Sequence, residues 1–169
     1  MQGTPGSITS RTRLAGFLEA AGRHPGISVV AQCAGDYQHG TAREAMGELL
    51  ARHAPLDGVL CANDVMALGA IEAMMTAGRM LPVVGVNALP EAIAAIKRGT
   101  LLATVDFDAT KMGCIATEAA IRHLRGERVP AEIMLPVEVV DASNCAPWER
   151  PIEARECPRW EVVTSSPPA

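Results

Sequence analysis

Short apolar runs alternate with amphipathic stretches along most of this sequence. The apolar runs predict five strands, at Ser28–Cys33, Gly58–Asn63, Leu81–Asn87, Leu101–Phe107 and Glu132–Val140. Helical spacing predicts helices at Thr41–His53, Asp64–Ala77, Pro90–Gly99 and Thr110–Leu124, and an earlier one with Leu14, Phe17, Leu18 and Ala21 on one face. Alternating helices and apolar strands are typical of a parallel sheet covered on both faces. The pattern predicts an α/β fold, a three-layer α/β/α sandwich with a mainly parallel, Rossmann-like sheet.

The sequence divides into a body and a tail. The strand and helix pattern occupies residues 1–144, whereas 145–169 is rich in proline and has no helical period. We expect Trp148 and Trp160 to anchor this tail, which is otherwise extended or disordered. Only Met1–Gly3 precedes the turn into the first helix, although a doubly wound sheet should feed that helix from a strand. The body is therefore predicted to be a lobe that lacks most of its first strand.

Composition and charge exclude several classes of function. The 169 residues are 49% hydrophobic, which is enough for a packed core, and carry a net charge of −4 without a basic stripe. A nucleic-acid partner is not expected, because it needs a cationic surface. No apolar run reaches the length of a membrane helix, so direct membrane insertion is not expected either. The start of the chain also has no secretory leader pattern, as in a cytoplasmic protein or a fragment.

Signatures of catalysis are missing from the sequence. It contains no phosphate-binding glycine loop after a strand and no nucleophile elbow. Its four histidines have no metal-ligand spacing. We therefore predict a protein that is not an enzyme, with no catalytic residues, no metal and no cofactor.

The five cysteines show no spacing typical of zinc sites. Cys33 and Cys61 lie in apolar runs, which favours buried thiols. Cys145 and Cys157 lie in the polar tail, where they pair in an oxidising compartment or stay free.

Candidate binding residues follow the predicted strands. In an open parallel sheet, ligands bind beyond the carboxyl ends of the strands. The side chains expected at that edge, including one from the first helix, are Arg13, Tyr37, Asn63, Asn87 and Phe107. Amides and a guanidinium beside aromatic rings suit a neutral ligand rich in hydroxyl groups. Asp64 and Asp108 precede helices, and we expect both to act as helix caps.

Several segments carry a resemblance to a known family. They are Ala62-Asn63-Asp64-Val65-Met66-Ala67-Leu68-Gly69-Ala70, the strand Val83–Asn87, the step from Ile96–Gly99 to Leu102–Val105, and Leu124–Glu127. In this order they resemble the C-terminal lobe of type I periplasmic sugar-binding proteins, the ribose-binding-protein-like substrate-binding proteins of ABC transporters. The match runs over residues 3 to 144 and implies that the N-terminal lobe and signal peptide are absent.

The resemblance also implies a function. Family members hold a sugar in the cleft between two lobes and deliver it to the permease subunits of an ABC importer in the periplasm. Ligand positions of the family carry over onto Arg13, Tyr37, Asn63 and Asn87. Asn87 stands where the family usually has aspartate, Tyr37 where it has phenylalanine, and Phe107 where it often has glutamine.

Two other functions remain open on sequence grounds. The effector-binding domain of a LacI-type transcription regulator shares this fold and the Asn63–Ala70 run. An enzyme of a Rossmann-like class would need a cofactor loop or a nucleophile. The stretch from Gly99 to Asn144 resembles the transport branch more closely than the regulators.

Overall fold

A computed structural model of the chain describes residues 1–52, 55–151 and 154–164. Its α-helices are α1 (Ile8–Gly22), α2 (His39–Ala51), α3 (Asp64–Thr76), α4 (Pro90–Lys97), α5 (Ala109–Leu124) and α6 (Trp160–Thr164). Its strands are β1 (Val59–Leu60), β2 (Val83–Val86), β3 (Ala103–Asp106) and β4 (Glu138–Asp141), and a 3₁₀ helix spans Ala146–Glu149. The predicted end of the second helix, His53, lies outside the described residues.

The sheet has the order β1-β2-β3-β4. β1, β2 and β3 are parallel, with Val84 opposite Ala103, and β4 pairs antiparallel with β3. Helix α3 connects β1 to β2 and α4 connects β2 to β3, so these elements form two successive βαβ units. The predicted α/β sandwich with a mainly parallel sheet is confirmed, and the last predicted strand forms the antiparallel edge.

The core lies where α2, α3 and α4 pack against each other and against the sheet. Its largest fully buried apolar side chains include Met46, Met66, Met74 and Ile96. Helices α2 and α3 approach closely at Gly69, where an added Cβ would lie 2.3 Å from the carbonyl oxygen of His39. Among the helices of the described residues, none is long and apolar enough to cross a membrane.

The prediction of a sheet strand at Ser28–Cys33 is wrong. This segment is extended but belongs to no ladder of the sheet, and Val30 is 56% exposed. The end of this segment is joined to Gln2 by two backbone hydrogen bonds. The Gln2 N–H donates to the Cys33 carbonyl, and the Gln2 carbonyl accepts from the Gly35 N–H, each at 2.8 Å. An apolar run becomes a strand only where a neighbouring backbone is in reach. Within the described part of the chain, this run is followed by one isolated bridge, between Ala34 and Gln2.

The first two residues occupy a gap between the extended segment and β1. The amino group of Met1 donates to the Leu60 carbonyl at 2.6 Å, and the Met1 carbonyl accepts from Ala62 N–H at 3.0 Å. Beside them lies an apolar cavity of about 600 Å³. Its walls come from α1, α2, the extended segment and the sheet, and include Leu14, Phe17, Val29, Leu49, Leu60 and Val84.

Both tryptophans of the tail contact the body. The indole Nε1 of Trp148 donates to Asp106 Oδ2 at 2.6 Å, and Arg122 on α5 lies 5.0 Å from the centre of the Trp160 ring. The expectation that the two tryptophans anchor the tail is confirmed. Pairing of Cys145 with Cys157 is not found: Cys157 forms a disulfide with Cys114 on α5.

The remaining cysteines are free thiols. Cys145 and Cys61 are buried, and burial raises the pKa of Cys61 to about 12, so that its thiol stays protonated at neutral pH. Cys33 is only partly buried. The burial predicted for Cys33 and Cys61 is therefore confirmed in full for Cys61 and in part for Cys33.

Replacing either disulfide cysteine, by Cys114→Ser or Cys157→Ser, should lower the free energy of unfolding by about 2–4 kcal/mol. The crosslink closes a loop across 43 residues and so restricts the unfolded chain. Denaturant titration of the oxidised protein measures the loss. The double variant should lose no more than either single variant, because both remove the same bond. Additive losses, or a Cys145–Cys157 link in peptide mapping, would contradict this assignment.

Candidate functional site

The candidate site lies at the carboxyl ends of the parallel strands, where the chain turns sharply into the next helix. Five residues have positive φ although none is glycine: Asn87, Ala88 and Asp108 in the turns after β2 and β3, and Asp36 and Tyr37 in the turn that precedes α2. Such conformations cost of order 1–3 kcal/mol each and persist only where surrounding contacts hold them. Their concentration at one edge of the sheet indicates a site whose backbone is fixed in advance.

Arg13 is the centre of the polar contacts at this edge. Its Nη1 donates to the Ala62 carbonyl at 2.5 Å, and its Nη2 donates to Asn87 Oδ1 at 3.3 Å. The guanidinium carbon lies 5.6 Å from the centre of the Phe107 ring. Three predicted residues, one on α1 and one directly after each of β2 and β3, therefore meet, and stacking together with two hydrogen bonds fixes the planar guanidinium.

Asn63 lies next to this group and begins α3. Its Oδ1 accepts from Met66 N–H at 2.9 Å, so it is the N-cap of the helix. The side chain is almost buried, at 7% exposure. Its Nδ2 makes no hydrogen bond to any of the described residues and remains a donor at the site.

The prediction that Asp64 caps α3 is wrong. Asp64 is fully buried, its Oδ2 accepts from Leu89 N–H at 2.9 Å, and its Oδ1 accepts from the Thr104 hydroxyl at 2.6 Å. Burial raises the pKa of this carboxyl, and the hydrogen bonds from Thr104 and Leu89 partly oppose that rise. Asn63 has taken the capping role, which leaves Asp64 to link the helix to β3 and to the turn after β2.

The predicted cap at Asp108 is confirmed. Its Oδ1 accepts from Lys111 N–H at 2.9 Å in the first turn of α5. Asp106, two residues earlier, accepts from Asp108 N–H at 2.8 Å and from Trp148. Both carboxylates of this loop are therefore engaged in holding backbone and tail.

Tyr37 lies on the same side of the sheet, away from the hydrogen bonds of Arg13. Its ring covers Gly3, where an added Cβ would lie 2.1 Å from the ring carbon Cζ. The Tyr37 hydroxyl and the neighbouring Asp36 Oδ1 are buried without a hydrogen-bond partner among the described residues. Tyr37 makes no hydrogen bond to Arg13, Asn63 or Asn87, so the structure does not join it to that group.

Sequence reasoning missed three contributors to the site. The Ala62 carbonyl accepts from Arg13, the Thr104 hydroxyl donates to Asp64, and Gly85 leaves room for the Asp64 carboxylate. A backbone carbonyl leaves no mark in a sequence. Thr104 does leave one, because it is a hydroxyl residue within the apolar run Leu101–Val105 and is fully buried. A buried hydroxyl needs a partner, and this requirement points to a polar group such as Asp64 beside it.

Comparison with known proteins places the chain in a family. Residues 1–128 match the model of the periplasmic binding protein domain. The chain belongs to this family, as the resemblance of its segments predicted.

Relatives within the family include importer components. The chain is 34% identical over 139 residues to the ribose import binding protein RbsB of Bacillus subtilis, covering 82% of this chain and 45% of that protein. An ABC transporter solute-binding protein from Bacillus halodurans with bound myo-inositol superposes with a TM-score of 0.83 at 32% identity, over 88% of this chain and 52% of that one. One from Actinobacillus succinogenes with bound D-allose has a TM-score of 0.83 at 28% identity, over 87% and 52%. The chain thus spans about half the length of the curated relatives it matches.

Asn63→Ala should lower the free energy of unfolding by about 1 kcal/mol, because it removes the oxygen that caps α3. Asn63→Asp keeps that oxygen and should cost less. Urea titration of the two variants and the parent measures the difference. Equal stability of Asn63→Ala and the parent would show that the cap contributes nothing.

Proposed function

We propose that this chain is one lobe of a sugar-binding protein that serves a bacterial ABC importer. The observation that carries the proposal is the meeting of Arg13, Asn87 and Phe107 at the carboxyl edge of the sheet, in a chain of the periplasmic binding protein family. Relatives named as ribose import binding proteins, and structures with bound D-allose and myo-inositol, support a ligand of the sugar or polyol class. No reaction is part of this proposal.

The polar groups fit hydroxyl recognition. A hydroxyl donates one hydrogen bond and accepts others, so it needs acceptors and donors together. Asn87 Oδ1 supplies an acceptor, and Asn63 Nδ2 and the remaining guanidinium N–H groups of Arg13 supply donors. Phe107 offers a ring for the C–H face of the ligand, and Tyr37 offers a second one at the margin. Asn87 carries no charge, which suits a neutral ligand.

The proposed binding unit has a second lobe that covers the ligand. A ligand seated only at this edge would keep one side in water, and closure of another lobe removes that water. The coverage of about half of each relative agrees with this arrangement. Residues 1–144 then form the lobe, residues 145–169 its tail, and the permease subunits of an importer the further partner.

Two features bear on the surroundings of this lobe. Disulfides such as Cys114–Cys157 persist in oxidising compartments, which supports a periplasmic location. The apolar cavity beside Met1 has backbone on two sides, from the extended segment and from β1. We propose that in the intact binding protein an extended strand leading into Met1 fills this cavity and pairs with both neighbours.

A regulator of the LacI type is the second candidate. It would share the fold and a sugar-like effector. The reported relatives are importer components. Disulfides such as Cys114–Cys157 are rare in cytosolic proteins. Both observations favour transport.

Titration of this chain with D-ribose, D-allose or myo-inositol should give weak binding, of roughly millimolar dissociation constant. Half of the contacts and all of the closure are absent from a single lobe. Two-dimensional NMR detects such binding through shifts of the side-chain resonances of Arg13, Asn63 and Asn87. Micromolar binding would overturn the two-lobe proposal, and no shift with any of these ligands would count against the site.

Arg13→Ala should weaken that binding by about tenfold or more, because ligand oxygens lose charged donors. Arg11→Ala is the matched control, since Arg11 lies on the same helix and is exposed. The same NMR titration compares the two variants. An equal loss in both would mean that general charge, and not the position of Arg13, governs binding.

A further inference from the structure

We propose that Asp64 is the positioning residue of this site: its buried carboxylate fixes the turn Asn87–Leu89 and thereby holds the Asn87 side chain against Arg13. The inference rests on the proposed function only for the statement that Asn87 faces ligand. The linkage itself is a property of the fold.

The turn after β2 is held by three consecutive backbone N–H groups. Asn87 N–H donates to the Val105 carbonyl at 2.9 Å, which continues the ladder with β3. Ala88 N–H donates to the Thr104 hydroxyl at 3.2 Å, and Leu89 N–H donates to Asp64 Oδ2 at 2.9 Å. The last two bonds lie outside regular secondary structure and end on side chains.

These two bonds are joined through Asp64. The Thr104 hydroxyl that accepts from Ala88 donates its own proton to Asp64 Oδ1 at 2.6 Å. Asp64 Oδ2 therefore holds the turn directly at Leu89, and Asp64 Oδ1 holds it at Ala88 through the Thr104 hydroxyl. Asp64 and Thr104 are both 0% exposed, so water does not compete for these bonds.

The turn needs this restraint because its backbone is strained. Asn87 has φ of 121° and Ala88 has φ of 51°, conformations that residues with a Cβ rarely adopt. Neither position is glycine, the residue that adopts positive φ without a steric cost. The strain persists because buried contacts over-determine it.

Space for the carboxylate is made on β2. A Cβ added to Gly85 would lie 2.2 Å from Asp64 Oδ1 and 3.3 Å from Asp64 Cα. The strand can pass this close to α3 only with glycine at that position. Gly85 on β2 thus makes room for the Asp64 carboxylate of α3, and Thr104 on β3 donates a hydrogen bond to it.

The consequence of the restraint is a fixed direction for Asn87. With the turn held, Asn87 Oδ1 lies 3.3 Å from Arg13 Nη2, and Arg13 is in turn stacked on Phe107. A relaxed turn would release φ of Asn87 toward ordinary values and rotate its side chain away. Asp64 makes no hydrogen bond to Arg13, Asn87 or Phe107. Apart from a Coulombic attraction to Arg13, it acts on these groups through Thr104 and Leu89.

The test uses this chain without ligand, in variants Asp64→Asn, Thr104→Val and Thr104→Ser. Asp64→Asn and Thr104→Val should shift the side-chain resonances of Asn87 and Arg13, and speed amide exchange at Leu89 by about tenfold or more. Thr104→Ser keeps the hydroxyl and should restore the parent signals. Thr100→Val is the control, because Thr100 donates a comparable bond to the Ala95 carbonyl at 3.2 Å, outside this network.

Each outcome decides the proposal. Shifts at Asn87 and Arg13 that are absent from Thr100→Val and reversed in Thr104→Ser support a positioning role. Shifts no larger than those of Thr100→Val overturn it and leave Asp64 a general stabiliser of the fold. Should Asp64→Asn fail to fold, the Thr104 pair decides alone. None of these readouts involves sugar, so a chain that binds no sugar would count against the proposed function and leave this test intact.

Discussion

Parallel pairing of β1, β2 and β3 is the constraint on which the rest of the structure depends. It sends the carboxyl ends of all three strands to one edge, so that the residues after each strand become neighbours although 20 or more positions separate them. Each strand must also turn into a helix within a few residues. The positive φ values at Asn87, Ala88 and Asp108 result from that requirement. Polar side chains then serve two purposes, because they hold the turns and also face the site.

What the sequence predicts well is what local periodicity controls. Helices α2 to α5 and strands β1 to β3 fall within or close to the predicted ranges, since apolar spacing is set by the faces that they bury. Ser28–Cys33 has an equally apolar pattern and still forms no sheet strand. Pairing depends on a neighbouring backbone, and of the described residues only Met1 and Gln2 reach the gap beside it. A strand is therefore a property of two segments, whereas the sequence pattern describes one.

The candidate site shows the same division. Topology predicted five side chains at this edge, and Arg13 does contact Asn87 and Phe107, whereas Tyr37 is not joined to them. Binding of a ligand by these residues stays a prediction. The capping role predicted for Asp64 belongs to Asn63, because both residue types cap helices and the sequence does not show that Asp64 bonds to Leu89 and Thr104 instead. The partner of Cys157 was also missed, since Cys114 is 43 residues away and its approach depends on how the tail returns along α5. The role of each of two similar side chains thus depends on its surroundings in the folded structure, which the sequence does not show.

The contacts of Arg13 indicate how this lobe would meet a ligand. Its guanidinium is held by the Ala62 carbonyl, by Asn87 and by the Phe107 ring, which are all groups of the protein itself. A free arginine side chain has a large rotamer entropy to lose on binding, and here that loss has occurred during folding. The strained turn after β2 likewise restricts the side chain of Asn87, the hydrogen-bond partner of Arg13. Under the proposed function, contacts within the protein would therefore order the site, and binding would have to order only the ligand and the approaching surface.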